Sequence, residues 1–290
     1  SAAQADYSLT ILHTNDFHSR VEPINKYDSG CKEEDNAEGK CFGGYARLDT
    51  LIEERRAASN NSVLLDGGDQ FQGSLFYTYY KGKVAAEMMN RLAYDAMTVG
   101  NHEFDDGPEV LRGFMDAVEF PVLMSNADVS KEPKLAGVLM PSTVIERGGE
   151  KIGLIGLTPK DTGELSSPGK NIDFTDPAEA VKAQIAKLEE QGVNKIILLS
   201  HVGYKRDQEI AAAKAAGLGF KKAVAAFVPA PAARVSASRA VFTVEAKQNK
   251  KARTIQVRAT PPSAPGNGRR RPLGVAYRRR VPDESLECVS

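Results

Sequence analysis

The stretch "LLDGGDQFQG" (residues 64–73) sets two carboxylates, Asp66 and Asp69, around a Gly-Gly pair directly after an apolar run. A carboxylate has two oxygens and can serve two cations, and glycine lets the backbone turn closely beneath it. A solvated turn has the same composition, so the rest of the chain must decide. Three further stretches carry matching residue types: "HTNDFHS" from His13, "GNHEFD" from Gly100 and "SHVG" from Ser200. Carboxylate, amide oxygen and imidazole are the ligands that hard and borderline divalent cations take. Asp16 and His18 can grip one ion, Asp69 can bridge to a second, and Asn101 with His201 can hold that second ion. Two ions about 3.5–4 Å apart lower the pKa of a bound water and clamp a phosphoryl oxygen. Asp66 reads as a residue supporting the turn, and His13 as a buried hydrogen-bonding side chain.

These four stretches need elements that bring them together. Each follows an apolar run: "YSLTIL", "SVLLD", "AMTV" and "KIILL". The runs read as strands, the first from about Ser8 to His13, and the last is of the continuously apolar kind covered on both faces. Between them "YARLDTLIEERRAAS" places Leu48, Leu51 and Ile52 on one helical face. "GKVAAEMMNRL" also reads as a helix, and "GPEVLRGFMDAV" as another with Pro108 in its first turn. "PVLMSN", "STVIER" and "KIGLIGL" read as strands. Asp176 and Pro177 open a helix that Gly192 stops. Strand and helix alternate, so the fold class is α/β with a parallel or mixed centre. In such sheets the ligand crevice lies beyond the carboxyl ends of the strands, where all four stretches fall.

Composition sets the wider frame. The chain is 41% hydrophobic and 26% charged, close to a soluble globular average. No apolar stretch reaches the roughly 18 residues that span a bilayer. The small-x-small form Ala3-Gln4-Ala5 followed by Asp6 suits signal-peptidase processing and predicts an exported protein: periplasmic, cell-surface or extracellular. Cys31 and Cys41 bracket the charged loop "CKEEDNAEGKC", with no nearby His to complete a zinc site. A disulfide between them fits an oxidising compartment, and two free surface thiols are the alternative. Cys288 is left over.

The net charge of zero hides two unlike parts. Residues 1–207 carry 22 Lys+Arg against 33 Asp+Glu, and the remainder 16 against 5. From about residue 214 the chain is rich in Ala, Pro, Ser and Arg, and between Gln208 and Pro282 only Glu209 and Glu245 are acidic. "AVFTVEA" and "ARTIQVRA" can each make a short strand. The arginine runs at 269–271 and 278–280 lack interleaved aromatics, so no nucleic-acid partner is expected. The expected division is therefore 7–213 as one domain and 214–290 as a basic tail, either divergent, and then poorly ordered, or read out of frame. Nothing in the sequence sets the oligomeric state.

The motifs "LTILHTNDFHS", "LLDGGDQFQG", "MTVGNHEFD" and "IILLSHVG" resemble the metallophosphoesterase domain of the 5′-nucleotidase family over about residues 7–213. The 31–41 loop followed by "GGYARL" is closest to the ecto-enzymes of that family. The resemblance implies a four-layer α-β-β-α sandwich, two divalent ions (Zn, Mn, Co or Mg) and hydrolysis of nucleoside 5′-monophosphates to nucleoside and phosphate. Asp16 and His18 match ligands of the first metal, Asp69 the bridging aspartate, and Asn101 and His201 ligands of the second. His102 matches the catalytic histidine beside the scissile phosphate, and Asp105 its orienting partner.

The family closes its metal site with a further strand and a Gly-His-x-His or Gly-His-x-Gln motif. No histidine follows His201 in this chain. The fold is therefore expected to be incomplete at its C-terminal side, with a sheet edge and part of the core exposed. Two other functions stay open: a cyclic-phosphodiester or nucleotide-sugar hydrolase on the same scaffold, and a remnant that binds metal without catalysis.

Overall fold

Side chains along a strand point alternately to opposite faces, so a strand covered on both sides must be apolar at every position. The first strand, β1 (Ser8–Thr14), meets this demand at its middle: Ile11 and Leu12 are both fully buried, on opposite faces. A computed structural model describes residues 7–215 together with short strands at 224–229, 242–249, 254–260, 276–277 and 288–289. After β1 come α1 (Glu33–Ala37), α2 (Tyr45–Ala57), β2 (Ser62–Asp66), α3 (Leu75–Tyr80), α4 (Lys83–Arg91) and β3 (Ala96–Thr98). A 3₁₀ turn (His102–Phe104) leads to α5 (Gly107–Ala117), β4 (Val122–Leu123), β5 (Ala127–Asp128), β6 (Ser142–Arg147) and β7 (Glu150–Leu157). Then follow α6 (Thr162–Leu165), β8 (Asp173–Phe174), α7 (Pro177–Glu190), β9 (Lys195–Ser200) and α8 (Tyr204–Ala215). The later strands are β10 (Val224–Pro229), β11 (Phe242–Asn249), β12 (Thr254–Thr260), β13 (Ala276–Tyr277) and β14 (Cys288–Val289).

Two sheets form the centre, in the orders β12-β11-β1-β2-β3-β4 and β10-β9-β7-β6. Between them lie Leu9, Ile11, Val63, Leu65, Ile152, Leu154, Ile197 and Leu199, all buried. The alternate residues of the first sheet, among them Leu12, Leu64 and Met97, pack against Ile52 of α2, Met89 of α4 and Leu111 and Phe114 of α5. Those of the second, Ile155, Leu157, Ile196 and Leu198, meet Val181, Ile185 and Leu188 of α7 and Ile210 of α8. The order of layers is thus helices, sheet, sheet, helices: the α-β-β-α sandwich expected from the resemblance.

Local chemistry sets the element ends. The Asp176 carboxylate accepts from the Ala178 and Glu179 amides at the start of α7, and Gly192, at φ +78°, follows its end. Asp176 also pairs with Arg206, but both side chains are over a third exposed, so that pair contributes little. Asp176→Ala should destabilise the fold by about 1 kcal/mol through the lost cap, which urea denaturation followed by circular dichroism would measure.

Several sequence expectations are adjusted. "PVLMSN" pairs only over Val122–Leu123, and α1, α3, α6, the 3₁₀ turn and the β5–β8 pair stand where no element was expected. A sheet edge was expected to lie exposed; beside β9 the sheet continues with β10, parallel to it with Val224 opposite Lys195. β11 runs antiparallel to β1, and β12 to β11, so the two stretches of the basic segment that could each make a short strand do so, where a poorly ordered tail was one expectation. The Ala3-Gln4-Ala5 stretch and the 269–271 arginine run lie outside the described residues, as does Arg278–Arg280. No helix among the described residues is long and apolar enough to cross a membrane.

Candidate metal centre

Strand register brings the motif loops to one end of the two sheets. Thr14 lies opposite Asp66 in the parallel β1–β2 pair, so both strands end side by side. Their loops then run together: the Asp16 amide donates to Gly68 O (2.9 Å), His18 N to Asp69 O (3.0 Å) and Ser19 N to Gln70 O (2.9 Å). The loop after β3 meets the same place through close glycine contact. A Cβ on Gly68, at φ +94°, would stand 2.6 Å from Gly100 N, and one on Gly100 would strike the Asp69 carboxylate. Only glycine fits at either position. From the second sheet, His201 follows β9 and hangs on the end of β7, its amide donating to Leu157 O (2.9 Å).

Asp69 is the hub. Its carboxylate Oδ1 accepts from the His102 amide at 2.9 Å, and Oδ2 lies 2.9 Å from His201 Nε2. Ligand atoms of Asp16, Asp69 and His201 fall within 4.8 Å of one another, and so do those of His18, Asp69 and His102. The sequence paired Asp16 with His18 on one ion; here Asp16 groups with His201, although His18 Nε2 stays 3.8 Å from Asp16 Oδ1. Asn101 opens the 3₁₀ turn next to His102, its carbonyl accepting from Phe104 N at 3.1 Å.

The imidazoles are oriented from behind. His201 Nδ1 lies 2.6 Å from Gly67 O and His18 Nδ1 lies 3.0 Å from Phe71 O. A carbonyl can only accept, so both Nδ1 atoms carry a proton, which leaves Nε2 as the ring nitrogen that can ligate a cation in the neutral form. In His201 that leaves two acceptors, Nε2 and Asp69 Oδ2, facing each other. They need a proton or a metal between them. This donor set fits a divalent cation.

Electrostatics agree. Burial alone would suppress the His201 cation, but the Asp69 charge and hydrogen bond outweigh it and raise its pKa to about 10. For Asp69, burial opposes ionisation and His201 overcomes it, holding the carboxyl below its ordinary value. Asp16, His18 and Asp69 all have positive φ (49°, 49° and 61°), a backbone region costly for such residues. The surrounding hydrogen bonds hold three candidate ligands there.

Beside this group His102 Nδ1 is 2.7 Å from Asp105 Oδ2, and Ser166 Oγ donates to Asp105 Oδ1 at 3.0 Å. The His18 and His102 rings meet edge to face, centroids 5.1 Å apart. Burial lowers the His102 pKa, yet the Asp105 hydrogen bond and the charges of Asp69, Asp105 and Glu103 raise it further, for a net increase. Asp66 is fully buried beneath the turn and accepts from Thr14 Oγ1, Gly68 N and Gln70 Nε2. The sequence reading passed over two groups. Glu103 is fully buried beneath Asp69. Asp207, also buried, accepts from Ser200 Oγ just behind His201. Cys31 and Cys41 form a disulfide with Cα atoms 5.8 Å apart. Arg20 links the segment before that loop to the site, bonding both Asp28 and His18 O.

Fold and site together define a metallophosphoesterase, and the chain belongs to the calcineurin-like phosphoesterase family, whose pattern matches residues 9–224. Divalent-metal binding is the family's chemistry. Within the family the chain is similar to the 5′-nucleotidase of Diplobatis ommata, at 47% identity over 214 residues, covering 71% of this chain and 35% of the relative. The human 5′-nucleotidase is 43% identical over 213 residues, covering 72% of this chain and 36% of the relative. Among solved structures, the 5′-nucleotidase precursor of Thermus thermophilus superposes with a TM-score of 0.70 at 32% identity. That match covers 84% of this chain and 52% of the other. The chain spans about a third of the length of the curated relatives it matches.

Proposed function

We propose that this chain is the metal-binding, phosphoryl-handling part of an exported 5′-nucleotidase that hydrolyses nucleoside 5′-monophosphates to nucleoside and phosphate. The observation that carries the reading is the Asp69 carboxylate, shared by two groups of candidate ligands with His102 beside it. Asp16, His18, Asp69, Asn101 and His201 would hold two divalent ions, of Zn, Mn, Co or Mg. Bound there, such ions supply Lewis acidity and a water of lowered pKa.

The remaining steps belong to the side chains. His102, kept cationic by Asp105, donates from Nε2 to a phosphoryl oxygen as negative charge develops on it. Asp105, itself held by Ser166, fixes the ring so that Nδ1 stays protonated. The similarity to 5′-nucleotidases supports the nucleotide substrate, and the Cys31–Cys41 disulfide supports export to an oxidising compartment. The division into residues 7–213 and 214–290 belongs to the same proposal. The absence of any histidine after His201 favours a second reading, a remnant that binds metal without turnover.

Hydrolysis by the full chain with added Mn²⁺, with the products separated by chromatography, separates the readings. Faster hydrolysis of AMP, to adenosine and phosphate, than of a cyclic nucleotide or a nucleotide sugar is the expected result. The opposite order of rates sinks the substrate assignment in favour of the related hydrolases. Mn²⁺ binding with no turnover on any of them leaves the remnant reading.

A further inference from the structure

Glu103 is an acid with no contact to solvent, and its four hydrogen bonds all come from backbone amides. Oε2 accepts from Asp69 N (2.9 Å) and Gly100 N (2.7 Å), and Oε1 from Gln70 N (2.8 Å) and Phe71 N (3.3 Å). Three of those amides belong to the loop after β2, while Glu103 itself belongs to the loop after β3. The exchange is reciprocal. Asp69 sends its carboxylate the other way and accepts from the His102 amide at 2.9 Å. Each loop thus supplies the carboxylate that caps the other's backbone.

Asp69 depends on this exchange. Its backbone is left-handed, φ +61°, a region few residues with a side chain occupy, and in that conformation its amide points at Glu103. Both oxygens of the Glu103 side chain receive N–H groups, three of them at 2.7–2.9 Å, so one group ties the two loops together through direct hydrogen bonds. We infer that Glu103 is a positioning residue that clamps the loop bearing Asp69 to the turn bearing Asn101 and His102, fixing the distance between the shared carboxylate and the catalytic imidazole. The inference rests on the phosphoesterase reading only for its kinetic part; the clamp itself is a statement about metal binding and loop rigidity.

Glu103→Gln in the full chain tests it. Glutamine keeps the volume but turns one acceptor oxygen into a donor, so two of the four amides then face an NH₂ group. With the variant folded by circular dichroism, titration calorimetry with MnCl₂ should show affinity weaker by about 10–100-fold. Turnover at saturating Mn²⁺ should fall with KM little changed, and Glu103→Asp, which keeps the charge, should recover part of both. A folded Gln variant that binds Mn²⁺ as tightly as the unaltered chain overturns the inference.

If the Gln variant does not fold, amide hydrogen exchange on the unaltered metal-free chain decides. The Asp69, Gln70 and Gly100 amides should exchange as slowly as those of β2. Exchange at exposed-loop rates would overturn the clamp. Absence of turnover in every form, with the binding and exchange results as expected, would count against the phosphoesterase reading and not against Glu103.

Discussion

His102→Ala should lower phosphate release by about 10²–10⁴-fold while leaving Mn²⁺ binding at the Asp16–Asp69–His201 group in place. General-acid or charge-stabilising contacts from one side chain contribute on that scale. The geometry separates the two effects. Asp16, Asp69 and His201 form a candidate ligand group without His102, so a cation can still bind there. The pH profile carries the second half of this prediction. His102 is pulled down by burial but raised more by the Asp105 hydrogen bond and the nearby carboxylates, so it stays cationic above the ordinary histidine value of 6.5. Activity that needs the cation is therefore held through that pH and lost as pH rises past the elevated pKa. Asp105→Asn removes the charge and weakens the hydrogen bond that raise it, so its alkaline limb should move to lower pH. In His102→Ala that limb should vanish. A His102→Ala enzyme that keeps a tenth of the rate or more, with an unchanged alkaline limb, would remove His102 from the chemistry.

The parts of this molecule that were legible in advance are those where one physical demand dominates. β1, β2 and β9 are apolar because they are covered on both faces, and their ends are marked by the polar residues the crevice requires. α7 carries its own start and stop in Asp176, Pro177 and Gly192. The Asp69 loop was legible only jointly: a solvated turn has the same composition, and it was the matching residue types at three other strand ends that separated the two. Glu103 was not. In "GNHEFD" it is one acid among others, and no local pattern separates a buried acceptor of four amides from a solvated surface charge. Its partners lie some 33 residues back in the chain, and only the fold brings them close. The same holds for Asp16 and His201. They come from different sheets, and their adjacency follows from how the two sheets pack. The short strands β4, β5 and β8 have two residues each, too few to show a period.

Asp69→Asn should affect Mn²⁺ binding more than loss of any other single ligand, because both candidate groups contain this carboxylate. Asparagine preserves the shape and can still accept from the His102 amide, so the two loops remain joined through Glu103 and through that bond. The charge is what disappears. A shared carboxylate offers one oxygen to each cation, whereas an amide offers one oxygen in all. Asp16→Asn is the matched control, since Asp16 belongs to one group only. Calorimetry should therefore show one site weakened in Asp16→Asn and both weakened by at least roughly 10-fold in Asp69→Asn, the lower end of what even a supporting group costs when lost. The metal-free protein gives an independent check. His201 owes its raised pKa to the Asp69 charge and hydrogen bond, working against burial. With the carboxylate gone burial prevails, and the His201 ring should titrate at lower pH by NMR. If Asp69→Asn binds as many Mn²⁺ ions as the unaltered chain, each as tightly, the two groups do not share a bridging ligand, and a two-ion centre built on Asp69 is the wrong description of this site.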